Sequence, residues 1–190
     1  LPISKMIKDE YIKKKKTKVI GLTGGQGTGK STISKILKII LKEAYKLETA
    51  IFSIDDFYKT LQEREEMSKK INSLFLTRGV PGTHDTKMLF QCITNLKNNK
   101  FKKSIIPVFD KSIDNRSSKS KWLKVKKKPN IVIFEGWCVG AIAQKNKDLN
   151  FPINKLEKQK DGKKIWRRKV NSEHKKNYKK IFNLIDKLIF

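Results

Sequence analysis

The stretch of sequence best suited to chemistry is GGQGTGKS, residues 24–31. It fits the pattern G-x-x-x-x-G-K-[ST], in which glycines let backbone N–H groups turn towards phosphate oxygens. The lysine of such a loop reaches the β- and γ-phosphates, and the hydroxyl that follows it binds Mg²⁺. The pattern therefore predicts a site for ATP or GTP, with contacts from Gly24, Gly25, Gln26, Gly27, Thr28, Gly29, Lys30, Ser31 and Thr32.

Two acidic residues directly follow apolar segments that we expect to be strands. Asp55 comes after TAIFSI, and Glu135 comes after NIVIF. In open α/β sheets, ligands bind at the carboxyl ends of the strands. We expect Asp55 to be the general base towards a substrate hydroxyl, and Glu135 to hold the metal or its water together with Ser31. An acid at a strand end is also common as a turn former or helix cap, so this alternative stays open.

The loop RGVPGTHD, residues 78–85, has a composition that suits neither a helix nor a strand. Its glycines and proline favour a tight turn. We expect Arg78 and His84 to contact a substrate anion, whereas Asp85 either joins them or caps the following helix. A purely structural role is the alternative for a lone histidine such as His84.

Hydrophobic patterning indicates the elements that must position these residues. Buried strands are predicted at 19–23, 49–54 and 130–136, an extended segment at 104–109, and a further strand in IDKLIF at 185–190. Helices are predicted to begin at Lys30 and at Asp85 or Thr86, and a third helix is predicted around 166–185. Residues 59–70 are a polar stretch, and residues 111–128 are expected to form an exposed loop. The apolar face of the first of these helices is expected to be Ile33, Ile36, Leu37, Ile40, Leu41 and Ala44. Strands that alternate with helices predict an α/β fold, a three-layer α/β/α P-loop NTPase architecture with a mainly parallel sheet.

The composition limits the classes of partner. The 190 residues carry a formal net charge of +27, which first suggests nucleic acid, but the chain has 40 lysines and only 5 arginines, spread along its length. Nucleic-acid surfaces favour arginine clusters interleaved with aromatic residues, so we expect no nucleic-acid partner, and a nucleic-acid-binding ATPase is only a remote alternative. No apolar run reaches the ~20 residues of a membrane span, so no membrane partner is expected. Cys92 and Cys138 are expected to be buried free thiols in a reducing cytosol, which predicts a cytoplasmic protein.

Two regions are expected along the chain. Residues 1–16 form a basic lead-in, and 17–190 form the nucleotide-binding domain. The chain opens on Leu1 and stops within the apolar run IDKLIF, so we expect a fragment that is truncated at its C-terminus.

Five motifs taken together carry a resemblance to a known family. In chain order they are GLTGGQGTGKST, SIDDFYKT, RGVPGTHD, PVFDKSIDNR and FEGWCVG. This combination resembles the glycerate kinase branch of P-loop kinases, which contains D-glycerate 3-kinases and uridine-kinase-like proteins. The resemblance implies transfer of the γ-phosphoryl group of ATP, with Mg²⁺, to a hydroxyl of D-glycerate. Uridine-kinase-like and pantothenate-kinase-like activities are the alternatives.

The resemblance also implies roles for individual residues. Asp55 matches the usual base of the wider family, and Lys30 and Glu135 complete the catalytic set. The register of the family's acceptor-binding segment places Asp110 and Arg116 at the acceptor, with Arg116 gripping the carboxylate of glycerate. Asp56, Tyr58, Arg78, His84 and Asp85 are further candidate acceptor contacts, although packing is the alternative for Tyr58. The arginine-rich lid and the C-terminal part of such kinases are absent from this sequence.

Overall fold

The structure is a computed structural model that describes residues 2–190. Its helices are α1 (Pro2–Ile12), α2 (Lys30–Tyr45), α3 (Leu61–Lys70), α4 (Thr86–Lys97), α5 (Lys155–Lys160), α6 (Ile165–Glu173) and α7 (Lys179–Phe182). Its strands are β1 (Lys18–Thr23), β2 (Thr49–Ser53), β3 (Ser104–Ile106), β4 (Phe109–Asp110), β5 (Asn115–Arg116), β6 (Leu123–Val125), β7 (Ile131–Gly136) and β8 (Lys187–Ile189).

The central sheet contains four parallel strands in the order β2-β7-β1-β8. Strand β1 pairs with β7, where Val19 lies opposite Val132, and with β8, where Gly21 lies opposite Leu188. Strands β1 and β7 are buried along their whole length. This burial is typical of inner strands in a parallel sheet that is covered on both faces. The predicted parallel sheet is confirmed.

Helices cover both faces of this sheet. Consecutive side chains of a strand point to opposite faces, so Val19 belongs to one apolar cluster and Ile20 to the other. The first cluster includes Leu89 and Ile93 of α4, and the second includes Leu37 of α2. The predicted three-layer α/β/α architecture is therefore confirmed.

The N-terminal residues belong to the packed structure. Helix α1 buries Ile7 completely in the cluster shared with α2, and Met6 and Tyr11 pack against the same cluster. The lysine run 13–16 that follows is exposed. Residues 2–12 of the expected basic lead-in are thus a helix that packs against the core.

Two polar segments contain structure that the pattern did not predict. Residues 59–70 include α3, which begins at a capping box in which Thr60 and Glu63 each accept a hydrogen bond from the other's backbone N–H. The span 111–128, expected to be loop, supplies β5 and β6, which pair antiparallel with β4 and β3. The two small ribbons lie outside the central sheet.

Helix α2 has a narrower buried stripe than its sequence suggests. Ser34, Leu37 and Leu41 are buried, because these positions face the sheet, whereas Ile33 and Ile36 are 41% and 47% exposed. The expected broad apolar face is therefore wrong in part.

Towards the C-terminus, α6 continues through a π-helical turn (His174–Tyr178) into α7, close to the helix expected at 166–185. Among the helices of residues 2–190, none has the length and apolarity needed to cross a membrane.

Candidate active site

The phosphate-binding loop lies between β1 and α2, at the carboxyl edge of the sheet. Gly27 and Gly29 have φ values of +80° and +79°, which glycine adopts without the strain that a side chain brings. Gly29 is the N-cap of α2 and has no side chain to bond the first N–H groups of the helix. These donors and the helix dipole are therefore available to an anion. The Lys30 ammonium folds back on the loop and donates to the carbonyls of Gly24 (2.8 Å) and Gly25 (2.6 Å).

The loop lines one side of a cleft of about 750 Å³. The cleft lining includes the loop residues Gly25, Gln26, Gly27, Lys30 and Ser31, together with Asp55, Asp56, Tyr58, Arg78, Lys111, Glu135 and Trp137. Most of the residues expected to do chemistry therefore meet in one place, although they come from four separate stretches of the chain.

Ser31 and Glu135 are brought together at the end of β7. The Ser31 hydroxyl donates to Oε1 of Glu135 over 2.9 Å, and Glu135 is 7% exposed. A hydroxyl and a carboxylate at this spacing are oxygen ligands of the kind that Mg²⁺ takes, with waters and substrate phosphates completing its shell. Within residues 2–190, no group of three or more His, Cys, Asp or Glu side chains is placed to hold a metal ion. The residues present fit an ion that is shared with a bound nucleotide.

Asp55 lies two residues after the end of β2 and lines the same cleft as the phosphate-binding loop. Asp55 belongs to a 3-10 turn, Ile54–Phe57. The Ser53 side chain caps this turn by accepting a hydrogen bond from the Asp55 N–H. The two carboxylate oxygens have different partners. Tyr58 donates its hydroxyl to Oδ1 over 3.0 Å, and Lys111 donates its ammonium to Oδ2 over 2.9 Å.

Asp56 is half-buried and lines the cleft together with two other acids, Asp55 and Glu135. Burial raises the pKa of Asp56 to about 6, and the charges of Asp55 and Glu135 add to this, while the hydrogen bond from the Ser53 N–H opposes it. The same bond completes the capping box of the turn that carries Asp55. Asp56 therefore shapes the turn, in addition to lining the cleft as expected of an acceptor contact.

Arg78 is the part of the RGVPGTHD loop that reaches the cleft. Its guanidinium forms an ion pair with Asp114 and lies over the ring of Phe109, 5.5 Å from the centroid. The neighbouring Gly79 carbonyl accepts a hydrogen bond from Trp137 Nε1 over 3.2 Å, which ties the loop to the segment after β7. Arg78 remains partly exposed and keeps the expected position at the cleft.

His84 is not in the cleft, which corrects the expectation that it contacts a substrate anion. It is 1% exposed, stacks on Tyr58 at 4.4 Å, and its Nδ1 lies 2.5 Å from the hydroxyl of Tyr178. Burial lowers the pKa of the imidazole to about 3, so the ring is neutral. Its role here is structural, because it ties the loop and Tyr58 to the π-helical turn.

Three other expected acceptor contacts are also engaged elsewhere. Asp85 is the N-cap of α4 and accepts from the Met88 N–H, so the capping alternative is the observed one. Arg116, expected to grip the acceptor, donates to the Tyr58 carbonyl over 2.8 Å and to Asp85 over 3.2 Å. Asp110 accepts from the backbone and hydroxyl of Ser112. These three residues do not line the cleft, and their expected contact with an acceptor stays a prediction.

Two residues of the site region were not singled out by the sequence. Lys111 lines the cleft and pairs with Asp55, but it is one of 40 lysines. Its place directly after Asp110 in PVFDKSIDNR is the signal that could have found it. Arg64 is fully buried and binds Asp114, the partner of Arg78. Arginine is scarce in this chain, so an arginine in a polar stretch could have drawn attention.

Comparison with known proteins places this cleft in context. The chain is 38% identical over 130 residues to an uncharacterized kinase of Schizosaccharomyces pombe, which covers 64% of this chain and 46% of the relative. It is 33% identical over 130 residues to the chloroplastic D-glycerate 3-kinase of Arabidopsis thaliana, covering 64% of this chain and 28% of that protein. The chain thus spans less than half the length of these curated relatives.

Solved structures have the same fold. A D-glycerate 3-kinase from Cryptococcus neoformans superposes with a TM-score of 0.80 at 24% identity, covering 97% of this chain and 69% of that one. At this identity the likeness shows the architecture alone. A sequence profile for the Phosphoribulokinase / Uridine kinase family matches residues 19–176, from the start of β1 into the π-helical turn. The chain belongs to the phosphoribulokinase / uridine kinase family.

Proposed function

We propose that the protein is an ATP-dependent kinase that phosphorylates a hydroxyl of a small acid, with D-glycerate as the acceptor. One observation carries this proposal: Asp55 and the phosphate-binding loop line a single cleft, which is also lined by Ser31 and Glu135. This arrangement has a place for the phosphoryl donor on one side and a carboxylate for the acceptor hydroxyl on the other. Phosphoryl transfer needs positioning and charge stabilisation of this kind.

The reaction assigns a role to each group. Asp55 accepts the proton of the acceptor hydroxyl while the oxygen of that hydroxyl bonds to the γ-phosphorus of ATP. The bond between the γ-phosphorus and the oxygen that bridges it to the β-phosphorus breaks, and ADP is released. Lys30 leaves the two loop carbonyls that it contacts and neutralises charge on the β- and γ-phosphates. Ser31 and Glu135 would hold Mg²⁺, which would supply further charge neutralisation on the phosphate oxygens.

The choice of D-glycerate rests on charge and on the relatives. Arg78 and Lys111 give the acceptor side of the cleft two cations, which suit a carboxylate. One relative with 33% identity is named a D-glycerate 3-kinase. Arg78 takes the role that was expected of Arg116, because Arg116 is held outside the cleft.

A uridine acceptor is the second candidate, because Trp137 and Tyr58 line the cleft and aromatic rings can stack on a base. A uridine kinase of Macrococcus caseolyticus is 31% identical to the chain over 122 residues. We also propose a cytoplasmic location. It is supported by Cys92 and Cys138, which are buried free thiols.

An acceptor screen tests the proposal. The 190-residue chain is supplied with ATP and Mg²⁺, and ADP release is measured with D-glycerate, uridine, pantothenate, ribulose 5-phosphate or buffer. The proposal predicts release that depends on D-glycerate and exceeds the rate with every other acceptor. Release with D-glycerate no faster than with buffer would overturn the choice of acceptor, and turnover of uridine instead would favour the second candidate.

A further inference from the structure

Lys111 has a position that the phosphate-binding and base roles do not explain. Its ammonium donates to Oδ2 of Asp55 over 2.9 Å, at the acceptor side of the cleft, yet its side chain is 63% exposed. The ion pair therefore lies in a setting where water screens the attraction and where such pairs stabilise by only ~1 kcal/mol or less. A contact of this strength is easily exchanged for another.

The backbone that presents Lys111 is held firmly. Residues 111–114 form the turn between β4 and β5, and Asp114 within it has φ +50°. The Asp114 carbonyl and carboxylate accept hydrogen bonds from the fully buried Arg64 over 2.6 and 2.9 Å. At the start of the turn, Asp110 accepts from Ser112. A fixed turn thus carries a long side chain that is free to change partner.

The ion pair competes with the chemistry proposed for Asp55. Both carboxylate oxygens are hydrogen-bonded, Oδ1 to Tyr58 and Oδ2 to Lys111. An acceptor hydroxyl must approach one of these oxygens to give up its proton. The tyrosine is 4% exposed and stacks on His84, so it cannot swing away, whereas Lys111 can. Each carboxylate oxygen keeps a second lone pair, so the hydroxyl can bind beside either partner, and Lys111 is the partner that can move to make room for it.

An ammonium that leaves one carboxylate needs another anion, and an acidic acceptor brings its own. We infer, on the basis of the proposed kinase function, that Lys111 is the specificity-determining residue of the acceptor site. Lys111 pairs with Asp55, and a bound acceptor draws it to the acceptor carboxylate and so frees the base. Neutral acceptors leave Lys111 on Asp55 and react slowly.

The experiment compares Lys111→Met with wild type, with D-glycerate and its neutral amide D-glyceramide as acceptors. The two acceptors carry the same hydroxyl groups and differ in charge. Lys111→Arg keeps the charge, and Lys119→Met removes an exposed lysine that does not line the cleft. We expect Lys111→Met to lower kcat/KM for D-glycerate by about tenfold, as loss of a partly exposed charged hydrogen bond predicts, and not to lower it for D-glyceramide. Lys111→Arg and Lys119→Met should keep the preference of wild type for the acid.

Calorimetric binding of D-glycerate, with a non-hydrolysable ATP analogue present, separates this inference from the proposed function. Binding that weakens about tenfold in Lys111→Met supports the inference even if no acceptor is turned over, in which case only the kinase proposal fails. Equal binding to wild type and Lys111→Met, or equal loss of kcat/KM for both acceptors, would overturn the role of Lys111 and leave the kinase proposal standing. Absence of D-glycerate binding to wild type would also overturn it.

Discussion

Arg64 provides the sharpest test of how the acceptor side of the cleft is built. Its side chain is fully buried, and its guanidinium donates to the carbonyls of Lys59 (3.4 Å), Leu76 (2.5 Å) and Asp114 (2.6 Å) and to the Asp114 carboxylate (2.9 Å). Arg64 thereby joins three segments that lie apart in the sequence. The change Arg64→Met keeps most of the side-chain length and removes all of these donors.

The magnitude follows from the groups left behind. Breaking a buried ion pair by removing one partner costs about 3–5 kcal/mol of folding free energy. The Asp114 side chain is 39% exposed, so its carboxylate regains water and the expected cost lies at the lower end, about 3 kcal/mol. In a chain of this size each kcal/mol shifts Tm by about 2–4 °C, so the expected fall in Tm is about 6–12 °C.

Thermal unfolding followed by circular dichroism measures this directly. Arg168→Met is the matched control, because Arg168 is exposed, and surface substitutions of this kind stay within about 0.5 kcal/mol. A Tm for Arg64→Met within about 2 °C of wild type, with the control unchanged, would refute the view that Arg64 anchors the turn that carries Lys111.

Three further outcomes are expected. Asp55→Asn should lower turnover by at least about a hundredfold while calorimetric ATP affinity is kept, and full activity would contradict its role as base. Asp56 keeps its proton up to about pH 6 in the folded state, but only up to about pH 3.8 in the unfolded state. The free energy of unfolding of wild type, measured by urea titration, should therefore fall relative to that of Asp56→Asn as the pH rises from about 3.8 to about 6, by about 3 kcal/mol at most. Parallel pH profiles for the two proteins would contradict the raised pKa. Asp85→Ala should lower the free energy of unfolding by about 1 kcal/mol, because α4 loses its N-cap. Glu66→Ala, a change at an exposed position of α3, should not lower it. Equal Tm values for the two variants would contradict the capping role.

The parallel sheet could be predicted because its strands carry a strong local signal. Ile131, Val132, Ile133 and Phe134 are consecutive apolar residues, and only a strand buried on both faces requires such a run. The extended segment expected at 104–109 contains β3 and the start of β4, but β5 and β6 gave no comparable signal, since they are two and three residues long in a sequence rich in lysine and serine. Their pairing depends on contacts between distant segments, which a local pattern does not contain.

The residues of the candidate site also differ in how far a local sequence pattern could predict their positions. The phosphate-binding loop could be predicted because its chemistry depends on residues that are adjacent in sequence, and Asp55 and Glu135 because each ends a recognisable strand. The partners of Arg116 could not be predicted, because they come from distant parts of the chain. Asp85 lies just before α4, and the Tyr58 carbonyl follows the turn after β2. The same holds for His84, whose partner Tyr178 lies 94 residues away in the sequence.

The most direct test of the central claim is to identify the product by ³¹P NMR. The 190-residue chain is incubated with ATP, Mg²⁺ and D-glycerate, and the spectrum is followed as ATP is consumed. The account predicts a phosphomonoester resonance that couples to the carbinol protons of glycerate and grows in proportion to ADP, and that is lost in Asp55→Asn. ATP that remains intact, or that yields ADP and inorganic phosphate only, would contradict it.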